Sequence, residues 1–291
     1  MVEKLLSRSN MLRAYQHVVS NKGSAGVDGM KVSELGKHLK GTWSQTKQAI
    51  EEGEYLPSPI KGVEIPKPNG KKRLLGIPTV EDRLIQQGLY QLLMPIFEKE
   101  FQTNSYGFRP KKNAHQAVQQ AQRYINAGYQ DIIDIDLKSF FDEVNHGLLM
   151  ELIYAKVKCP KVLVLIRRFL RAPIQRDGKL EKRRKGVPQG SPLSPLLANI
   201  LLNELDKELT KRGHRYVRYA DDFSIYLKSK RSAKRTGNSI FLFLKQRLQL
   251  PINRSKSHRG AAVSGGRLPL TCWATVSCPL IKREKKAGTS W

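Results

Sequence analysis

The sequence predicts an α+β fold in which an antiparallel sheet packs on helices. Short alternating runs divided by turn-forming residues predict three β-hairpins, at 61–78, around Asp177-Gly178 and at 215–229. Longer runs with apolar residues at helical spacing lie between these hairpins. Because hairpin-linked strands pair in antiparallel fashion, we expect an antiparallel sheet with one face buried on the helices.

The first hundred residues combine expected helices with the first hairpin. Residues 1–55 are expected to be helical and loop-rich, with a glycine-punctuated loop at 21–29. The first hairpin then turns at 68–70, where the sequence is Pro-Asn-Gly. Apolar residues at helical spacing follow over 84–97, and Pro95 is expected to kink that helix.

A strand and a long helix are expected farther along the chain. The stretch 131–140 alternates, so its apolar side chains share one face of the strand while Asp134 and Asp136 share the other. Residues 194–213 have apolar side chains at helical spacing. Ser194 is expected to cap this helix, with Pro195 at its first position.

The chain is strongly basic. Its 291 residues include 52 Lys+Arg against 25 Asp+Glu, a formal net charge of +27, and 40% are hydrophobic, enough for a buried core. Nucleic acid is the partner that such a charge favours, since each phosphate contact releases a condensed counterion. Charge alone leaves two alternatives open, a solubilising surface without a specific partner and a ribosomal or histone-like binder.

The cysteines and the apolar runs indicate where the protein resides. Cys159, Cys272 and Cys278 are widely separated and lack the paired spacing of a zinc site, and an odd count favours a reducing compartment. The first residues contain no signal-peptide pattern, and no run approaches the roughly 18 apolar residues of a membrane span. We therefore expect a cytoplasmic protein, held on RNA, with no membrane partner.

An acidic pair lies at the tip of the third expected hairpin. Asp221 and Asp222 are adjacent, and their mutual repulsion between apolar strands would be relieved by a divalent cation. Phosphoryl transfer uses two such ions about 3.5–4 Å apart, and Mg²⁺ needs only two or three carboxylates. Asp136, on the polar face of its strand, is the expected third carboxylate. The alternative is an ordinary Asp-rich turn.

The segment 219–222, Tyr-Ala-Asp-Asp, is similar to the Y-x-D-D signature of reverse transcriptases. Four preceding segments resemble successive blocks of the group II intron reverse transcriptase/maturase family, and the likeness runs from about residue 10 to about residue 257. The resemblance implies a right-hand polymerase fold, with fingers and an antiparallel palm sheet packed on helices, and RNA-directed DNA polymerase activity. The four segments are 67–87, 104–118, 134–146 and 186–206.

The resemblance implies a two-metal centre. Asp136 and Asp221 would bind both ions, with Asp222 beside them and the carbonyl of Leu137 as an additional ligand. The ions would be Mg²⁺, with Mn²⁺ as a substitute. These three aspartates are therefore the expected catalytic residues.

The resemblance also implies a site for the incoming dNTP. Lys67 and Arg73, on opposite arms of the first hairpin, match the family's triphosphate-binding pair; an unrelated surface pair is the alternative. Phe141 matches the bulky residue that excludes a 2′-hydroxyl, and a core position is the alternative. Gln189 matches the glutamine that contacts the incoming nucleotide, and a simple loop into the next helix is the alternative.

Four residues are expected to contact the RNA template and DNA primer. Tyr106 and Phe108 would stack on bases and Arg109 would bind phosphate, although Phe108 could instead anchor the core. Lys256 would touch the primer backbone. Group II intron RNA is expected as a further partner, and the oligomeric state is left open.

The expected domain division is an N-terminal extension at 1–60, fingers and palm at 61–257, and a divergent or frameshifted tail at 258–291. The loop at 21–29 resembles the family's N-terminal extension, which lies as a lid over the template-primer, and a mobile linker is the alternative. The tail lacks the thumb/maturase pattern that the family resemblance predicts. An alternative function is therefore a catalytically inactive remnant, or a maturase-type protein that binds intron RNA.

Overall fold

A computed structural model of the protein describes residues 1–66, 70, 72–253 and 257–261. Within these residues groups of helices are separated by strand hairpins, which agrees with the predicted α+β class. The helices are α1 (Val2–Leu6), α2 (Arg8–Ser20), α3 (Leu35–Glu52), α4 (Val80–Phe97), α5 (Ala114–Asn126), α6 (Phe140–Glu143), α7 (His146–Tyr154), α8 (Pro160–Arg171), α9 (Ser194–Lys211) and α10 (Lys230–Gln246). The strands are β1 (Ile60–Pro66), β2 (Lys72–Ile77), β3 (Asp131–Ile135), β4 (Ile174–Arg176), β5 (Lys179–Glu181), β6 (Arg215–Tyr219), β7 (Asp222–Leu227) and β8 (His258–Ala261).

The strands form two four-stranded sheets. The first sheet has the order β2-β1-β4-β5, and the second has the order β6-β7-β3-β8. All pairs in the second sheet are antiparallel, whereas β1 and β4 of the first sheet run parallel. The three expected hairpins are present as β1–β2, β4–β5 and β6–β7.

The second sheet includes a strand that the sequence did not predict. Residues 258–261 form β8, which pairs with β3 from Asp131 to Asp134. The expected division after residue 257 therefore separates this edge strand from its sheet, because β8 lacks the alternation that marks a strand locally and is defined by a distant partner. Residues 262–291, the rest of the expected tail, lie outside the described residues.

The long helices begin where polar caps are available. Thr79 caps α4, its hydroxyl accepting a hydrogen bond from the Asp82 amide at 3.2 Å. Helix α9 begins one residue earlier than expected: Leu193 is its N-cap residue, and Ser194 is the first helical residue. Pro195 lies in the first turn, where its missing N–H costs nothing.

The main core lies between α9 and the second sheet. Helix α9 is buried along most of its length, from Ser194 to Leu209, and it packs against α4, α7 and β6. Phe223 and Ile225 of β7 face the same core. The face of the sheet above this core therefore has a rigid support. None of the helices in the described part of the chain is long and apolar enough to cross a membrane.

Candidate active site

The acidic pair lies where the sequence predicted, at the tip of the β6–β7 hairpin. Tyr219 pairs with Asp222, which leaves Ala220 and Asp221 as a two-residue turn. Ala220 has a φ of 58°, in the left-handed region that hairpin turns of this length require. Asp221 is half-buried, whereas Asp222, the first residue of β7, is exposed.

Asp136 lies next to this turn on the neighbouring strand. Strand β3 pairs with β7, Ile135 opposite Phe223, so that Asp136 follows directly beside the β6–β7 turn. Its carboxylate Oδ2 accepts a hydrogen bond from Asn253 Nδ2 at 2.8 Å, and its carbonyl accepts from the Asn253 amide at 2.9 Å. No role for Asn253 is predicted from the sequence, yet its side chain holds one carboxylate oxygen of Asp136.

The charged groups around the turn affect the pKa of Asp221. Burial raises the pKa of Asp221 above its ordinary value, and the negative charge of Asp136 raises it further. A hydrogen bond to its own backbone lowers this pKa, and so do the positive charges of Arg73 and Arg218. The charges of Asp136 and of Arg73, which belongs to the other sheet, therefore both act on Asp221.

The donor set fits a divalent cation. Two carboxylates repel each other at the end of the sheet, and a hard cation with oxygen ligands relieves that repulsion. Asp136 and Asp221 would hold it, with waters completing the shell. Within the described residues no group of three or more His, Cys, Asp and Glu side chains is close enough together to hold a metal.

The loop at 186–190 connects α6 to the first sheet through backbone hydrogen bonds. The Val187 amide donates to the Phe141 carbonyl at 2.6 Å, and the Gly76 amide donates to the Gln189 carbonyl at 2.8 Å. Gly186 has a φ of 85°, and a Cβ there would lie 2.9 Å from the Phe141 carbonyl. Glycine therefore allows the loop that carries Gln189 to pack against α6.

Two of the expected nucleotide-binding residues lie on segments that are hydrogen-bonded to this loop, Phe141 on α6 and Arg73 on β2. Phe140 is buried and belongs to the core, whereas Phe141 is half-buried at the edge of the site, so the core alternative applies to Phe140. Arg73 is exposed on β2, and Leu137 is buried just after Asp136. Lys67 and Lys256, the expected partners of triphosphate and primer, lie outside the described residues.

Two expected template contacts do not fit the structure. Arg109 donates to both carboxylate oxygens of Glu98 and to carbonyls of the 101–105 segment, and its side chain is 6% exposed. A guanidinium so occupied cannot also bind a template phosphate. Tyr106 is 6% exposed within a small core cluster, so its ring is not available for base stacking. Phe108 is 43% exposed, which excludes its alternative role as a core anchor.

Comparison with known proteins places this site in a family. Residues 65–271, about seven tenths of the chain, match the family described as reverse transcriptase (RNA-dependent DNA polymerase). The match includes both acidic segments and extends through β8. The chain belongs to the reverse transcriptase family.

Its curated relatives include group II intron proteins. The chain is 35% identical over 208 residues to protein YkfC of Escherichia coli K12, covering 69% of this chain and 55% of that protein. It is 39% identical over 202 residues to the group II intron-encoded protein LtrA of Lactococcus lactis subsp. cremoris, covering 67% of this chain. The chain spans only 32% of LtrA, so both relatives are considerably longer than their match.

Solved structures confirm the expected right-hand polymerase fold, with the second sheet as the palm. A partial Cas6-RT-Cas1–Cas2 complex matches with a TM-score of 0.51 at 20% identity, covering 84% of this chain and 42% of that one. A telomerase from Candida tropicalis matches with a TM-score of 0.56 at 16% identity, covering 81% and 46%. At these identities the likeness establishes the fold alone.

Proposed function

We propose that this chain provides the polymerase site of an RNA-directed DNA polymerase, which adds dNTPs to a primer 3′-hydroxyl on an RNA template. The observation that carries the proposal is the convergence of Asp136 and Asp221 within reach of the Arg73 charge. Two carboxylates beside a cation are the arrangement that nucleotidyl transfer needs, because the reacting phosphate develops negative charge.

Each side chain has a part in the proposed reaction. When bound between Asp136 and Asp221, two Mg²⁺ ions would activate the primer hydroxyl and stabilise the leaving pyrophosphate. Asp222 supports the same centre from the start of β7. Arg73 and Lys67 would neutralise the negative charge of the triphosphate. Long cationic side chains suit that task because they can adjust to the position of a phosphate.

Two residues beside the loop at 186–190 are proposed to select the nucleotide. Phe141, half-buried at the start of α6, would exclude a 2′-hydroxyl by contact with the sugar. Gln189, whose carbonyl is held by Gly76, would present its amide to the base pair being formed. The exposed ring of Phe108 is the template contact that the structure supports, because it is open to stacking.

Group II intron RNA is the proposed partner outside the reaction, in a cytoplasmic ribonucleoprotein. The support is the name of the LtrA relative together with the net charge of +27. Competition between a group II intron transcript and an unrelated RNA of equal length measures this preference. Equal affinity for both RNAs would remove the intron from the proposal.

Primer extension on poly(rA)/oligo(dT) with dTTP and Mg²⁺ tests the proposed activity. Asp221→Asn should slow extension at least about 1,000-fold, since several kcal/mol of charge stabilisation depends on metal ligation. Its RNA affinity should stay close to that of the wild type. Asp131→Asn is the matched control, because it makes the same change at the far end of β3 and should extend normally.

A second function has its own supporting observation. The charge of +27 is sufficient for RNA binding without catalysis, as in an inactive remnant or a maturase-type protein. Wild-type protein that binds RNA with a steep salt dependence but extends no primer would favour this function. Extension by the wild type and not by Asp221→Asn would exclude it.

A further inference from the structure

A buried arginine lies directly beneath the turn that carries Asp221. Arg218 of β6 is 0% exposed, as is its partner Asp206 on α9. The Arg218 Nε donates to Asp206 Oδ1 at 2.9 Å, and Nη2 donates to Asp206 Oδ2 at 2.6 Å. Nη1 points the other way and donates to the Ala220 carbonyl oxygen at 2.8 Å. The guanidinium therefore connects the core helix to the peptide that precedes Asp221.

The same turn is held from a second side by Asn199 and Gly107. Asn199 Oδ1 accepts from Arg218 Nη1 at 3.0 Å, and its Nδ2 donates to the Gly107 carbonyl at 2.9 Å. A Cβ at Gly107 would lie 2.2 Å from the Ala220 nitrogen, so the two backbones are in direct contact. One asparagine thus links the arginine to the segment that packs on the turn.

The turn needs this support because of its conformation. Ala220 has a φ of 58°, which crowds its Cβ against the backbone and persists only where the surroundings hold it. The carbonyl that Arg218 binds belongs to the peptide group whose nitrogen is that of Asp221. Fixing this peptide plane consequently fixes the direction in which the Asp221 side chain leaves the backbone.

We propose that Arg218, together with Asp206 and Asn199, is a positioning residue that sets the Asp221 carboxylate for divalent-cation binding and nucleotidyl transfer. The rate effect rests on the proposed function, whereas the effect on cation binding does not. Arg218 acts on Asp221 through the Ala220 peptide and through its positive charge, and its buried side chain does not touch substrate. A buried ion pair adds little net stability, because desolvation offsets its attraction. Its contribution here is the geometry of the turn.

The double variant Arg218→Met/Asp206→Leu separates positioning from stability. It removes both buried charges together, and such replacements often leave stability unchanged or raise it, while the bond to the Ala220 carbonyl is lost. Its melting temperature should stay near that of the wild type. Its Mn²⁺ affinity, measured from the free-ion EPR signal without nucleic acid, should fall about tenfold. Its extension rate should fall about 100-fold, as for a small misplacement of a reacting group.

Two single variants keep the test decisive. Tyr216→Phe is the matched control, because Tyr216 lies on the same strand as Arg218 and its hydroxyl donates to the Asp206 carbonyl of α9 at 3.2 Å rather than to the turn. Its Mn²⁺ affinity and rate should match the wild type. Asn199→Ala keeps the ion pair and should lower both quantities in the same direction as the double variant, and it carries the test if the double variant does not fold.

Each outcome bears on the proposal. Wild-type Mn²⁺ affinity in a folded double variant, or in Asn199→Ala if the double variant does not fold, would overturn it. Equal losses in Tyr216→Phe would also overturn it, since they would show a general packing effect. If the wild type itself extends no primer, the proposed function fails, while the Mn²⁺ titrations still decide whether Arg218 positions Asp221.

Discussion

The two hairpins that bring charge to the site differ in how they are held. In β6–β7 the central residues of both strands are buried, from Tyr216 to Arg218 and from Phe223 to Leu227. In β1–β2 most residues are exposed or half-buried, including Arg73. Carboxylates that bind metal need a fixed geometry, whereas a long cationic side chain can adjust to a phosphate. The buried hairpin therefore carries the carboxylates, and the more exposed hairpin carries the cationic side chain.

The ion pairs of the two hairpins differ in the same way. Arg218 and Asp206 are both 0% exposed, and the arginine also holds the turn. On the first hairpin, Lys72 lies 2.6 Å from Glu64, but these side chains are 70% and 36% exposed. An exposed pair is screened by water and contributes little to the fold. We therefore expect changes in the β6–β7 hairpin to alter the rate constant and changes in the β1–β2 hairpin to alter nucleotide binding.

Among the variants that compare the two hairpins, Gly107→Ala should have the largest effect on the rate of primer extension. The added Cβ would lie 2.2 Å from the Ala220 nitrogen, so the turn must move. Primer extension should slow about 100-fold, because a shift of the turn misplaces the Asp221 carboxylate relative to the reacting groups. Gly41→Ala is the control: no atom lies within 4 Å of its Cβ position, and its rate should be that of the wild type. Normal extension by Gly107→Ala would show that the turn tolerates displacement.

A smaller effect is expected on the first hairpin. Arg73→Ala should raise the KM for dTTP about tenfold with a modest change in kcat, because one charge-assisted contact to the triphosphate is lost. Arg73→Lys should recover part of the affinity. Steady-state primer extension at varied dTTP measures both constants. A fall in kcat with unchanged KM would indicate that Arg73 acts in the chemical step, as the carboxylates do, and not in dTTP binding.

Phe141 and Phe140 offer a comparison within one short helix. Phe141→Ala should raise the incorporation of UTP relative to dTTP about tenfold, since a half-buried ring at the sugar position excludes a 2′-hydroxyl by contact. Phe140→Ala should keep the selectivity but lose about 3–5 kcal/mol of stability, because that ring is 2% exposed. Unchanged selectivity in Phe141→Ala would place the sugar gate elsewhere.

The smallest effect concerns Asp82 of α4, a buried carboxyl without an arginine. Burial raises its pKa to about 6, and hydrogen bonds from Thr79, Tyr55 and Ser58 only partly offset this. The folded state therefore holds the proton on Asp82 more tightly than the unfolded chain does. The stability that this difference contributes is fully present below about pH 4 and is lost as pH rises through 6. Relative to Asp82→Asn, the wild type should lose about 2 kcal/mol of unfolding free energy between pH 4 and 6.5. Denaturant unfolding at several pH values measures the difference, and parallel curves would contradict the assignment.

The sequence was sufficient to predict the carboxylates and their hairpin. Asp221 and Asp136 lie in short segments where the alternation of apolar residues defines strand, face and turn together, and the ordered family blocks add a chemical role. The structure confirms both positions relative to the strands. The predicted roles as metal ligands stay predictions, to be decided by the experiments above.

The parts that could not be predicted depend on contacts between distant segments. The sequence shows Arg218 within an apolar strand, but nothing local indicates that its partner is Asp206 on the preceding helix. Arg109 was assigned to the template because it is basic, and only the fold shows its guanidinium turned inward to Glu98. Strand β8 is likewise defined by its pairing with β3 and not by its own pattern.

The most direct test of the proposed metal site is a crystal structure of the protein with RNA template, DNA primer and a non-hydrolysable dNTP. The crystals would be grown with Mn²⁺ and the diffraction measured at the manganese absorption edge. We expect the anomalous peaks of Mn²⁺ between the carboxylates of Asp136 and Asp221, with the triphosphate beside Arg73. Peaks that lie away from both aspartates in an otherwise ordered complex would contradict it.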